Sequence, residues 1–378
     1  MTNVLFITRT VQIYRSPFHE LVRARLELAG ITYNVAQGQA LDSLSARNDT
    51  ITLPWAKVVR NHFFGPGKLL WQPLLTEARK ADLVIVGQEN KLLLNYLLQI
   101  GRGSVFTKLA LWGHGRNFQA RNPDGMAERW KRLWAPRADW WFAYTDETRR
   151  HLLTLGFPNN RITVFNNAVD TSALRATADS ISDSEAAAFS AGLGAASVNT
   201  AIFVGALYRD KRLDFLIAAA DRVRARVPDF TLLVVGGGEE GKLLEVLAAA
   251  RPWVIVTGPR FGREKVLLMR SAKLFLMPGL LGLAVLDALV LGLPIVTTRF
   301  PYHSPEIAYL RDGKTGLIVE AWQSEADYAD AIIALLEDTP RREAMARQAR
   351  TDAEGYTIEA MAKRFADGVA AALAAPPR

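Results

Sequence analysis

Short apolar runs alternate through almost the whole chain with longer stretches whose apolar positions recur every three to four residues. Such runs read as strands buried on both faces, and the intervening pattern as helices covering them; together they are the signature of parallel α/β sheets. In the first half the expected strands are Val4 to Thr8, Leu83 to Val86, Leu109 to Trp112, Trp140 to Tyr144 and Ile162 to Phe165. Between Thr171 and Asn199 the alternation lapses into an Ala, Ser and Asp-rich stretch, the expected domain boundary. It resumes with strands at Ala201 to Val204, Thr231 to Val235, Val254 to Val256, Leu274 to Met277, Ile295 to Thr297 and Leu317 to Val319. The prediction is an α/β protein of two Rossmann-like domains, residues 1–170 and 200–357, with 171–199 as a linker region and a last helix over about 358–374 packing back on the first domain. Two such sheets in tandem are expected to face each other across a cleft, lined by the carboxyl edges where α/β folds take ligands.

A length of 378 residues exceeds what one hydrophobic core usually supports, which agrees with two domains. Residues 274 to 298 carry a single charge, Asp287, and are long enough to cross a bilayer. Pro278, Gly282 and the Gly292-Leu293-Pro294 stop cut them into strand, turn, helix and strand, so a buried core is expected instead. There are no cysteines, and the five histidines lie far apart without metal-ligand spacing, so neither a metal nor a cofactor is expected. The N-terminal apolar run is too short for a signal peptide and reads as the first strand; the expected location is cytoplasmic. The net charge of +8 is lopsided: residues 1–170 hold 22 Lys and Arg against 13 Asp and Glu, the remainder 24 against 25. The first half therefore calls for an anionic partner.

Three segments carry candidate chemistry. In PGLLGLAVLDALVLGLP, residues 278–294, a helix begins near Gly282, and the backbone N–H groups of Gly282, Leu283 and Ala284 form an anion site fit for a diphosphate. Asp287 follows in an otherwise apolar helix and needs a partner, either ribose hydroxyls or an Arg or backbone group. In VGALYRDKRLD, residues 204–214, Arg209, Lys211 and Arg212 follow a strand, as phosphate ligands or as a solvated turn. In LWGHGRN, residues 111–117, Gly113 and Gly115 keep space open around His114, a ligand contact or merely a satisfied loop polar residue. TLLVVGGGEE, residues 231–240, is a weaker signal, since a strand-to-helix turn alone would account for its glycines.

These segments resemble the retaining glycosyltransferases of family 4, the group 1 family with the GT-B fold, most closely from Ala201 to Val319. The family's glycine-arginine-leucine stretch ending in lysine-glycine corresponds to GALYRDKR, which implies phosphate binding by Lys211, with Arg209 supporting it where Ala206 replaces the common arginine. The family's two glutamates fall on Gly279 and Asp287, which implies donor-sugar recognition through backbone N–H groups of Leu281, Gly282 and Leu283. FNNAVD (165–170) and HSPEIAYLRDGKTGLIV (303–319) look like the family's hinge and its glutamate-bearing segment, and His114 matches a histidine that approaches the transferred sugar. The resemblance implies metal-independent sugar transfer from a nucleoside diphosphate to an acceptor hydroxyl with retention at the anomeric carbon.

For the acceptor side the sequence points to Tyr14 and Arg15 in YRSPF (14–18) and to Arg116. Basic and aromatic residues interleave at Asn61 to Trp71 and Glu128 to Trp141, which suits either an anionic membrane surface or core packing. A lipid-linked or cell-envelope glycan is the expected acceptor, with the chain peripheral at the inner membrane face. Nucleic acid is not expected, for want of any recognised module, and a dinucleotide oxidoreductase is opposed by the missing glycines after the first strand. A non-catalytic protein with a degenerate donor site is the alternative, because Ala206 and Gly279 depart from the family pattern.

Overall fold

The computed structural model describes residues 2–39, 50–65 and 69–378. The chain divides into two compact units, Met1–Asp170 with Ile358–Arg378, and Thr171–Thr357.

The first unit is built on a seven-stranded parallel sheet of β1 (Thr2–Thr8), β2 (Ile31–Gly38), β3 (Lys57–Val59), β4 (Leu83–Gly87), β5 (Leu109–Gly113), β6 (Trp140–Ala143) and β7 (Ile162–Val164), in the order β7-β6-β5-β4-β1-β2-β3. β2 and β3 are additions to the five strands expected. Thr32, Asn34 and Gln37 interrupt the apolar run of β2, and β3 is only three residues long, so neither shows the continuous pattern of a doubly buried strand. The C-terminal helix Ile358–Ala374 belongs to this unit and sends Phe365 into an aromatic cluster, 4.3 Å from the Phe142 ring. Gly368 lets it approach, since a Cβ there would meet Thr163 Oγ1 at 2.4 Å. Full burial of a side chain such as Phe365 is worth about 1.5–3 kcal/mol.

The second unit carries six parallel strands, β8 (Thr200–Val204), β9 (Thr231–Val235), β10 (Val254–Gly258), β11 (Leu274–Met277), β12 (Ile295–Thr298) and β13 (Gly316–Val319), in the order β10-β9-β8-β11-β12-β13. All six strands read from the sequence are present. The apolar stretch 274–298 forms β11, a loop, the helix Ala284–Leu291 and β12, and no helix among the described residues is long and apolar enough to cross a membrane. Gly292, at φ +66°, ends the Ala284–Leu291 helix in the left-handed conformation that favours glycine.

The stretch read as a linker is different in the structure: Ser172–Asp179 and Asp183–Gly192 are helices of the second unit. Ser182 caps the second of them by accepting from the Glu185 N–H, and Ala178, Ile181 and Ala186 pack on Val266 and Leu267. Small residues hide this helix pair from a reading that relies on large apolar side chains.

Candidate active site

The second unit's carboxyl edge is assembled by close backbone approach. After β8 the chain pairs with the Gly236-Gly237-Gly238 turn, Leu207 N–H donating to Gly237 O at 2.9 Å. A Cβ on Gly236 would lie 1.9 Å from Gly205 O and one on Gly238 2.3 Å from Leu207 O, so these glycines do more than turn the chain. Beside them Val204, Gly205, Val235, Gly237, Phe261 and Lys265 help to line a cavity of about 430 Å³.

The 3-10 turn Arg209–Lys211 follows, closed by Arg212 at φ +58°. Lys211 is buried, and its ammonium donates to Leu280 O at 2.5 Å. Desolvation pulls its pKa down to about 8, with the Asp210 charge opposing. Arg209 is exposed on the same turn, where its charge reaches Glu240. Arg212 turns away, donating to Trp322 O and stacking 3.9 Å over Phe215, so the expected trio of cations is a pair.

The loop before the Ala284–Leu291 helix is pressed against this turn. Leu280 N–H donates to Asp210 O at 2.8 Å, and a Cβ on Gly279 would stand 2.0 Å from that same carbonyl. Gly279 is therefore required by packing, and no side chain is accommodated at the position of the family's first glutamate. Leu281 N–H, expected to serve the donor, instead donates to His303 Nδ1 at 3.0 Å. The N–H groups of Gly282, Leu283 and Ala284 remain at the helix start, ahead of the first turn's bonds from Val285 to Gly282 O and from Leu286 to Leu283 O. Asp287 is half-buried and receives Lys265 Nζ at 3.0 Å, a lysine pair where an arginine, a backbone group or ribose was anticipated. Lys265 also lines the 430 Å³ cavity, which the sequence reading missed because lysine and aspartate lie on different helices 22 residues apart.

The other named residues belong to the first unit. His114 follows β5, between Gly113 at φ +142° and Gly115 at φ +74°. Its ring stands 4.1 Å from that of Tyr144, and Nδ1 is buried without a hydrogen-bond partner among the described residues. Desolvation, then the Lys131 and Arg15 charges, lower its pKa to about 4, so the imidazole is neutral at pH 7. Arg15 is not on an open edge: it is buried, bonded to Asn167 Oδ1 and Ala168 O, with its guanidinium 5.6 Å from the Trp112 ring. Tyr14 is 44% exposed, and Arg116, also exposed, lies over Phe118 and within 3.5 Å of Glu147.

Two Rossmann-like units, one of them carrying a buried lysine, a helix start and a cavity at the carboxyl edge of its sheet, define the GT-B class of protein. Residues 198–338 match the family model "Glycosyl transferases group 1" and residues 19–173 the model "Glycosyltransferase Family 4". The chain belongs to this glycosyltransferase family. It is 34% identical over 165 residues to a D-inositol 3-phosphate glycosyltransferase of Arthrobacter sp. (strain FB24), a match covering 41% of this chain and 38% of that one. The chain thus matches about two fifths of the length of such curated relatives. The fold is also that of Anabaena Alr3699/HepE, solved in complex with UDP (TM-score 0.70, 17% identity, 98% of this chain and 100% of that one). Sucrose-phosphate synthase of Thermosynechococcus elongatus is similar as well (TM-score 0.67, 15% identity, 97% and 98%).

Proposed function

We propose that the protein transfers a sugar from a nucleoside diphosphate to an acceptor hydroxyl. The observation that carries this reading is the Lys211 ammonium held against the loop that leads into the Gly282–Ala284 helix start, whose helix is joined through the Asp287–Lys265 pair to a 430 Å³ cavity. The cavity takes the nucleoside, Asp287 the ribose hydroxyls with Lys265 as its resting partner, and Lys211, Arg209 and the helix N–H groups take the diphosphate. Protein cations and N–H groups thereby supply the charge neutralisation that a metal ion would otherwise give the leaving group. That UDP occupies the related Anabaena protein supports the same ligand class here.

The transfer breaks the bond from the anomeric carbon to the phosphate oxygen and forms one to the acceptor oxygen. The acceptor's proton passes to the departing phosphate on the same face, giving retention. Neutral His114 serves as a hydrogen-bond partner for the sugar through its unpaired Nδ1, rather than as an acid. Tyr14 and Arg116 offer exposed contacts to the acceptor, and buried Arg15 holds Ala168 O and Asn167 Oδ1 instead.

A lipid-linked or envelope acceptor at the inner membrane face is favoured by the helix Met126–Trp134. It exposes Met126, Trp130 and Leu133 among Arg129, Lys131 and Arg132, and Leu97 and Ile100 are exposed on the helix Leu93–Ile100, whose Tyr96 accepts from Trp130. The other stretch read as a membrane contact, Asn61 to Trp71, forms the hairpin His62–Phe64 with Leu69–Trp71, and residues 66–68 lie outside the described residues.

The test is a thermal-shift and calorimetric screen against UDP, GDP, ADP and their sugar conjugates, with and without chelator. Saturable, chelator-insensitive binding of one nucleotide family is the expected result. Failure of all of them at millimolar concentration would replace this reading with that of a non-catalytic protein.

A further inference from the structure

We infer that His303 is a positioning residue for the diphosphate site, acting through the loop Pro278–Leu281. The inference rests on the donor site proposed above.

Five of the seven polar backbone groups of this loop have a partner outside it. Pro278 O accepts from Thr298 Oγ1 at 2.7 Å, Leu280 N–H donates to Asp210 O, Leu280 O accepts from Lys211 Nζ, and Leu281 O accepts from Ser304 N–H at 3.2 Å. The remaining tie is the bond from Leu281 N–H to His303 Nδ1 at 3.0 Å. On its other side His303 Nε2 lies 2.8 Å from Thr298 O. A carbonyl only accepts, so Nε2 carries the proton and Nδ1 is the bare acceptor. The ring is buried, with Phe300 5.8 Å away centroid to centroid. Burial first, then the Lys211 and Arg299 charges, keep it neutral against the Thr298 bond, with a pKa of about 4.

The consequence is directional. With the carbonyls of Pro278, Leu280 and Leu281 engaged and no side chain at Gly279, the helix start offers a row of donors, the N–H groups of Gly282, Leu283 and Ala284, next to the loop that Lys211 holds through Leu280 O. Such a row suits a group that only accepts, as a diphosphate does. Without the imidazole, Leu281 N–H is left without its acceptor and the Leu280–Leu281 peptide keeps only the Lys211 bond to Leu280 O, so it tilts and misdirects the next three N–H groups.

The experiment compares UDP with uridine by calorimetry in wild type, His303→Leu and His303→Asn, with the GDP–guanosine and ADP–adenosine pairs in parallel. Leucine removes the acceptor, whereas the asparagine amide oxygen restores one near the Nδ1 position. We expect His303→Leu to weaken nucleoside diphosphate binding about tenfold while nucleoside binding is unchanged, and His303→Asn to recover most of the loss. Undiminished diphosphate binding in His303→Leu, or an equal loss for nucleoside and diphosphate, would overturn the inference. Should the variants not fold, ¹⁵N imidazole shifts of the wild type decide it: a bare Nδ1 that responds to UDP supports the role, and a protonated Nδ1 refutes it. Wild type that binds no nucleoside diphosphate would instead overturn the donor site itself.

Discussion

Lys211 is a buried cation whose charge is useful only when an anion arrives. Its pKa is lowered from 10.5 to about 8, so unbound Lys211 is charged below pH 8 at the cost of desolvation, and diphosphate binding favours the charged form. Nucleoside diphosphate affinity should therefore hold level from pH 7 to 8 and fall above it, by at most about tenfold per pH unit for one proton. Calorimetry across pH 7–10 checks this, and Lys211→Met should bind more weakly and lose the dependence. The stability sign is opposite. An unfolded lysine binds its proton up to about pH 10.4, so the ligand-free protein gains stability from this group as pH rises from about 8 to that value. Gly279 gives a second residue-scale prediction. Restoring a family-like glutamate there, as Gly279→Glu, should lower stability by roughly 1–3 kcal/mol and weaken the diphosphate, since any Cβ collides with Asp210 O. Denaturant melts with UDP titration test it, and a gain in affinity would show that the loop can move aside.

At the scale of elements, what was legible in the sequence is what repeats. Continuous apolar runs such as Leu83 to Val86 and Leu274 to Met277 are strands because parallel strands are buried on both faces. Polar interruptions hid β2, and alanine-rich composition hid the helices Ser172–Asp179 and Asp183–Gly192. The glycine and lysine motifs were readable as positions, but their geometry was not. Nothing in the sequence says that Leu281 N–H is given to His303, 22 residues away, or that Asp287 rests on Lys265, because both bonds depend on how separate loops and helices pack. The helix Met126–Trp134 is the element whose proposed role is easiest to isolate. Replacing Met126, Trp130 and Leu133 together by serine should lower partitioning onto anionic vesicles about tenfold or more while leaving UDP binding intact, because each buried apolar side chain contributes on the order of 1 kcal/mol at an interface. Co-sedimentation with phosphatidylglycerol vesicles reads the outcome. Equal partitioning of variant and wild type would remove this helix from the membrane proposal.

For the molecule as a whole, the histidines set the acid limit. Burial lowers His19 to about 3 and His114, His151 and His303 to about 4, from a usual 6.5. The unfolded chain therefore binds protons that the folded chain refuses between about pH 6.5 and 4, and stability must fall as pH drops through that window. Each fully refusing histidine contributes a slope of about 1.4 kcal/mol per pH unit there. His19, held in a cage of Phe6, Phe18 and Tyr33, and His303, bonded at both nitrogens, are the most deeply buried and should dominate. His114 and His151 are only partly buried by surface, so solvent should moderate their share. Because His19 lies in the first unit and His303 in the second, both units should lose stability together on acidification. Calorimetric melts at pH 7, 6 and 5 should show every transition moving to lower temperature. His19→Phe should flatten the response of the first unit, and His303→Asn that of the second. Melting temperatures that stay constant from pH 7 to 5 would mean that these imidazoles protonate inside the folded protein, and with His303 charged the bond that holds Leu281 could not exist.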